Sequence, residues 1–197
     1  IPWNFYQAYG CRSVLEKYYD EMAAYTAYMQ ANTTGYIYND HPYKLADWCA
    51  PYGYDPAQQY FETSTAYYYY GLCIMAQTAG VLGRKEEEKH YADLAEKVKE
   101  VFLAKYYDAE NHCYGTQTLT SFCAEIGLYP EGEKAAMAAW CARDIVNHDY
   151  HVTCGHLGLR YIYKFMSEFG YYEVLEKTLN SRTYPSFGAQ IEMGATT

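Results

Sequence analysis

The chain has 197 residues and a mass of 22.8 kDa, enough for a sizeable core and too much for a peptide or linker. Half of its residues are hydrophobic and 20% are charged, which excludes a disordered or low-complexity chain, and no uncharged apolar stretch approaches the length of a membrane span. A net charge of −9, a pI near 5.1 and the lack of any Lys/Arg cluster argue against nucleic acid and anionic lipid as partners.

Helical spacing dominates the chain. Val14, Tyr18, Met22, Tyr25 and Met29 recur every three or four positions and predict a first helix over 13–30. After Glu62-Thr63-Ser64, whose hydroxyls suit an N-cap, Ala66, Tyr69, Cys73, Ala76 and Ala79 predict a second, closed by Gly80 and Gly83. From Lys85 to Lys105 an apolar stripe of Tyr91, Leu94, Ala95, Val98 and Phe102 opposes a charged face, the pattern of a helix with one solvated side. Leu119, Phe122, Cys123 and Ile126 before Gly127 give a fourth helix, and Ala138, Cys141, Ala142 and Ile145 a fifth, with Pro130 suited to a first turn. A sixth runs from about Gly155 to a stop at Gly170, and a seventh carries Val174, Leu175 and Thr178. No period-2 run of β-branched residues occurs, so the fold class is all-α, built from sequential antiparallel helical hairpins.

The segments 31–62, 106–116, 147–154 and 181–197 are left irregular, and long structured loops tend to carry function. The first holds Tyr36, Tyr38, His41, Tyr43, Asp47, Trp48, Tyr52, Tyr54 and Tyr60, drawn from a total of 27 tyrosines that includes the run Tyr67–Tyr70. Aromatic faces stack on sugar C–H faces while carboxylates and amides bond the hydroxyls, so such a loop fits carbohydrate; it equally fits an aromatic mini-core beneath a long connection.

Seven cysteines form an odd set with no CxxC, which fits free thiols in a reducing, cytoplasmic setting rather than a disulfide or zinc framework. His148, Asp149, His151, Cys154 and His156 crowd together, yet their spacing matches no metal template. No metal or cofactor is expected. GxSxG, GxGxxG and Walker motifs are absent, which leaves the carboxylates Asp47, Glu62, Glu125 and Glu192 in weakly charged surroundings. Each fits a capping or hydrogen-bonding role as well as acid chemistry; Asp47 stands out because it shares a loop with Trp48 and Pro51, the composition of a sugar subsite.

The loop texts resemble a known family. Ile1-Pro2-Trp3 through Tyr9-Gly10, Ala46-Asp47-Trp48-Cys49-Ala50-Pro51, Thr116-Gln117-Thr118, His151 through Tyr161, Tyr184-Pro185-Ser186-Phe187-Gly188 and Gly194-Ala195-Thr196-Thr197 together resemble the catalytic domain of bacterial α-L-rhamnosidases of glycoside hydrolase family 78. The resemblance implies that residues 1–197 are part of an (α/α)6 barrel, truncated at both ends, of an inverting hydrolase that removes terminal α-L-rhamnose from glycosides or polysaccharides. It implies a general acid upstream of Ile1 and a general base in a Trp-Glu pair just after Thr197, so that this chain alone is expected to be inactive. It also implies sugar-binding roles for Trp48, Asp47 and Trp3, structural roles for Gly155, Gly158, Arg160, Tyr184 and Pro185, and a Phe at 187 where the family usually has Trp. The expected partners are a rhamnose-containing substrate and the rest of the polypeptide. The competing expectation is a helical-hairpin interaction module with a tyrosine-rich groove and no chemistry.

Overall fold

The computed structural model describes residues 1–39, 46–51 and 60–196. Their contacts fall into two units, residues 1–43 with 64–105 and residues 44–63 with 106–197.

In the first unit, α1 (Pro2–Tyr9) opens on a proline whose missing N–H would have had no partner anyway, and Gly10 closes it in the left-handed region, its N–H donating to Tyr6 O at 2.7 Å. α2 (Arg12–Ala31) follows and leads into a short hairpin of β1 (Thr33–Thr34) and β2 (Ile37–Tyr38). Gly35 and Tyr36, between the strands, both have positive φ, the backbone that two-residue hairpin turns demand. Tyr38 N–H donates to Thr65 Oγ1 at 3.0 Å, which ties the hairpin to α3 (Tyr60–Leu82). A short turn joins α3 to α4 (Lys85–Tyr106), whose first turn carries Glu86, Glu87 and Glu88 and whose last carries Lys105, matching the helix dipole at both ends. Tyr19, Met75 and Ala79 form the buried centre, with Met22, Ala23, Leu82 and Tyr91 packed around it. The Arg84 guanidinium lies 3.8 Å from the Tyr19 ring centroid.

The second unit is built around α5 (Gln117–Ile126), in which every residue from Gln117 to Ala124 is buried. A helix buried on all sides needs neighbours on all sides. α6 (Lys134–Asn147) and α7 (His156–Glu168) pack on it, α8 (Tyr172–Asn180) packs on α6 and α7, and α9 (Phe187–Glu192) packs on α8. Leu119, Phe122, Cys123, Met137, Cys141, Ile145, Ile162 and Phe165 are almost wholly enclosed.

The all-α hairpin expectation therefore holds, with informative differences. α9 and the small β-hairpin arise in segments that periodicity leaves irregular, and α1 in residues to which it assigns no element, because each is too short to show a period. The buried face of α2 is Leu15, Tyr19, Thr26 and Met29, while Tyr18 and Tyr25 are exposed. Met22 and Met29 of the expected stripe pack inward, but Tyr18 and Tyr25 give way to their neighbours Tyr19 and Thr26, since tyrosine counts as apolar in a pattern yet sits comfortably with its hydroxyl in water. Thr63 and Ser64 lie inside α3 rather than capping it. Pro130 precedes α6 and accepts the Glu133 N–H in a turn instead of occupying the first helical turn. Of the tyrosine run, Tyr68 and Tyr69 are buried and Tyr67 is exposed, so part of the tyrosine excess is core. Among the described residues no helix is long and apolar enough to cross a membrane.

Candidate functional site

The loop 46–51, the segment preceding α7 and the segment preceding α9 meet in the second unit around a cavity of about 220 Å³. Its wall includes Cys49 and Pro51 from the first, Val152, Cys154 and His156 from the second, and Tyr184, Pro185, Ser186 and Phe187 from the third, with Tyr163 of α7 and Gln190 of α9. The wall is half polar and half apolar in character, and the volume lies below the ~300–1,000 Å³ typical of drug-sized ligands, on the scale of one small polar ring. Tyr163 and Phe187 stack with ring centroids 6.2 Å apart and planes 29° apart. Burial pushes the Tyr163 hydroxyl up to about 12, so at neutral pH it is protonated and able to donate. His156 and Gln190 add an imidazole and an amide.

The backbone around the cavity is fixed by side chains that do not touch it. Asp47 is buried and reaches the N-terminus of α7. Its Oδ2 accepts from Gly155 N–H at 2.6 Å and from the Thr118 hydroxyl, and its Oδ1 accepts from Leu157 N–H at 2.8 Å and Gly158 N–H at 3.4 Å. The remaining first-turn donor, His156 N–H, bonds Trp48 O at 2.9 Å. Residues 47 and 48 thus supply, from a distant loop, the cap that α7 lacks locally. Glycine is required where they dock: a Cβ on Gly155 would collide with Trp48 O and stand 2.8 Å from Ala50 N and Asp47 Oδ1, and one on Gly158 would collide with the Thr118 hydroxyl. The Gly155 and Gly158 of the sequence motif are sites of close approach.

Two further residues, both present in the sequence motifs, act as anchors that the motifs do not foretell. Gln117, fully buried at the start of α5, donates to Asp144 Oδ2 at 2.7 Å and accepts from Thr153 N–H at 2.9 Å. His151, also buried, bonds His148 O through Nδ1 at 2.8 Å, while its Nε2 faces Thr183 and Ser181, 2.9 Å and 3.1 Å from their hydroxyls. It pins the segment before α9 to the one before α7. A buried amide or imidazole in a helical region carries no periodic signal; only the Thr-Gln-Thr and His-Val-Thr texts mark them.

The predicted site residues part company. Trp48 is 66% exposed, and Cys49 and Pro51, the next members of its loop on the cavity wall, continue from it. Asp47 is occupied as described. Trp3 is buried in the first unit, its ring 5.6 Å from Tyr6, and helps to line an apolar cavity of about 350 Å³ between α1, α2 and α3. His41, Tyr43, Tyr52 and Tyr54 of the aromatic loop lie outside the described residues. Glu62 occupies the first turn of α3 near Tyr106, whose phenol is pushed up to about 12 by burial and then by the Glu62 charge. Glu125 is paired with Lys164, and Glu192 with Arg182 at 3.1 Å. His148 lies against Asp144, His151 is buried and His156 is exposed. Among the described residues no three His, Cys, Asp or Glu side chains gather as a metal site.

The family described as the bacterial alpha-L-rhamnosidase 6 hairpin glycosidase domain matches residues 1–197. An alpha-L-rhamnosidase of Formosa agariphila is 31% identical across 100% of this chain, which spans only 22% of that relative. Among solved structures, an alpha-L-rhamnosidase from Dictyoglumus thermophilum superposes with a TM-score of 0.89 at 34% identity, covering 100% of this chain and 23% of its own. The Streptomyces avermitilis alpha-L-rhamnosidase, solved with L-rhamnose, superposes with a TM-score of 0.87 at 28% identity, covering 100% of this chain and 19% of its own. The chain therefore spans about a fifth of the length of the relatives it matches.

Proposed function

Because the chain belongs to the bacterial alpha-L-rhamnosidase 6 hairpin glycosidase domain family, we propose that the full-length protein carrying it hydrolyses terminal α-L-rhamnose from a glycoside or polysaccharide. The observation that carries the reading to a site is the cavity before α7 and α9, where the Tyr163–Phe187 stack, His156 and Gln190 surround a space of sugar-ring scale beside the loop of the exposed Trp48. Aromatic faces there stack on the sugar, and the imidazole, amide and phenol bond its hydroxyls.

Inversion at the anomeric carbon needs an acid to protonate the leaving oxygen and a carboxylate to activate water, ~6.5–9.5 Å apart. Three of the four carboxylates singled out within the chain are engaged by other groups, Asp47 by four donors, Glu125 by Lys164 and Glu192 by Arg182, and the fourth, Glu62, lies in the first turn of α3 and is not among the residues lining the cavity. This supports a division in which residues 1–197 shape the sugar-binding wall while the acid and base come from elsewhere in the full-length protein.

The test is hydrolysis of an aryl α-L-rhamnoside by the full-length protein, against a panel of other aryl glycosides. Rhamnoside-selective turnover is expected, with Trp48→Ala and Phe187→Ala raising KM. Turnover of another glycoside in preference, or none at all, overturns the reading.

A further inference from the structure

We infer that Asp47 is a positioning residue for Trp48: by capping α7 it holds the loop 46–51 so that the Trp48 indole is presented for stacking, and it does not itself bind substrate. The inference rests on the reading of Trp48 as part of the sugar site and adds to it the origin of that residue's placement.

A carboxylate has roughly four lone-pair positions. Those of Asp47 are taken by the Thr118 hydroxyl and the amides of Gly155, Leu157 and Gly158, and the residue is only 7% exposed. A sugar hydroxyl would have to displace one of these donors and leave a buried amide or hydroxyl without a partner. The next peptide carbonyl, Trp48 O, accepts from His156 N–H, so Trp48 is held to one helix end by the Asp47 side chain before it and by its own carbonyl. Cys49 then turns in the left-handed region with φ 59°, a conformation that non-glycine residues hold only where their surroundings enforce it. The indole is left 66% exposed while its backbone is anchored, and an aromatic ring fixed before binding loses little freedom when a sugar stacks on it.

The experiment is a double-mutant cycle in the full-length protein, with Asp47→Asn, Trp48→Ala and the double variant assayed on an aryl α-L-rhamnoside. Asn keeps the shape but turns one acceptor oxygen into a donating NH2, so two of the four donors lose their acceptor. We expect Asp47→Asn to raise KM threefold to tenfold with a smaller change in kcat, and the double variant to be no worse than Trp48→Ala. Multiplying effects mean a direct sugar contact and overturn the inference. An unchanged KM with a lowered melting temperature means a purely structural cap and also overturns it. Thr118→Val, which removes one donor without altering charge, is the second variant should Asp47→Asn fail to fold, and a smaller rise in KM is expected of it. Fluorotryptophan labelling, with the Trp48 ¹⁹F resonance assigned by its loss in Trp48→Phe, separates the inference from the reading beneath it. A Trp48 resonance unmoved by Asp47→Asn or Thr118→Val overturns the positioning role, whereas a wild-type KM in Trp48→Ala overturns the sugar-site reading alone.

Discussion

The N–H of Gly155 donates to Asp47 Oδ2 at 2.6 Å across 108 positions of sequence. The contact is possible because residue 155 has no Cβ: one added there collides with Trp48 O and stands 2.8 Å from the carboxylate it should bond. Gly155→Ala is therefore expected to push the loop 46–51 off the end of α7. The cost is about 2–4 kcal/mol, ~1–3 from overpacking and ~1 from the loosened cap. Thermal melting gives the total, and faster amide hydrogen exchange over residues 155–158 locates it. Unchanged exchange there would mean that the loop yields without disturbing the cap.

That relationship also marks how far the sequence could be read. Long helices with a polar face, α4 above all, were legible because a 3.6-residue period needs several turns to declare itself. α1 and α9 are too short to do so, and α2 misled because Tyr18 and Tyr25 imitate an apolar stripe while lying exposed. At the site, Trp48 and the glycines of the His151–Tyr161 text were visible as motif members. The pairing of Asp47 with α7 was not, because a cap supplied from another loop depends on tertiary placement and leaves no local signature. Gln117 and His151 were visible as motif members, but their partners were hidden for the same reason.

Gln117 tests this hidden layer. Its amide serves Asp144 on one side and the Thr153 N–H on the other, in full burial. Gln117→Leu keeps the approximate volume and removes the acceptor of the Thr153 N–H, while Asp144 keeps His148 beside it, which is expected to cost about 1–3 kcal/mol. Gln117→Glu restores an acceptor for Thr153 but sets a second carboxylate beside Asp144, so its melting temperature should recover as pH falls. A Leu variant as stable as wild type would show that water satisfies the Thr153 N–H.

An ion-pair chain runs over α5, α6 and α7: Glu125 bonds Lys164, Lys164 lies 3.6 Å from Glu168, and Glu168 lies 3.2 Å from Lys134. The bond from Glu125 raises the Lys164 ammonium above the ordinary lysine range, and Lys134 holds Glu168 below the ordinary glutamate range. A raised lysine stabilises fully below its unfolded value and loses the contribution as pH rises through its folded one. A lowered glutamate stabilises above its unfolded value and loses the contribution as pH falls through its folded one. The chain of pairs therefore supports the fold between about pH 5 and pH 10. Because the groups are partly exposed, the stability lost in Glu125→Gln at neutral pH should be on the order of 0.5 kcal/mol. Rhamnoside turnover should be unaffected by this variant; loss of activity out of proportion to stability would put Glu125 back among the candidate acids.

The seven free thiols should differ sharply in reactivity. Cys11 is exposed to solvent on one side and accepts hydrogen bonds at a helix start; the Ser13 hydroxyl, 3.2 Å away, is the main cause of a lowered pKa. Cys49 is exposed on the cavity wall. Cys123 and Cys141 are enclosed, and burial pushes both thiols well above their ordinary range; Cys154 is driven up by the same cause despite lining the cavity. Since the thiolate is the reacting species, iodoacetamide at pH 7.5 should label Cys11 and Cys49 within minutes and Cys123, Cys141 and Cys154 only after unfolding, as read by peptide mass mapping. A ligand seated in the cavity should slow Cys49 and leave Cys11 untouched, so adding L-rhamnose to the labelling reaction makes Cys49 a reporter of occupancy. Equal protection of both cysteines, or of neither, would place the sugar elsewhere.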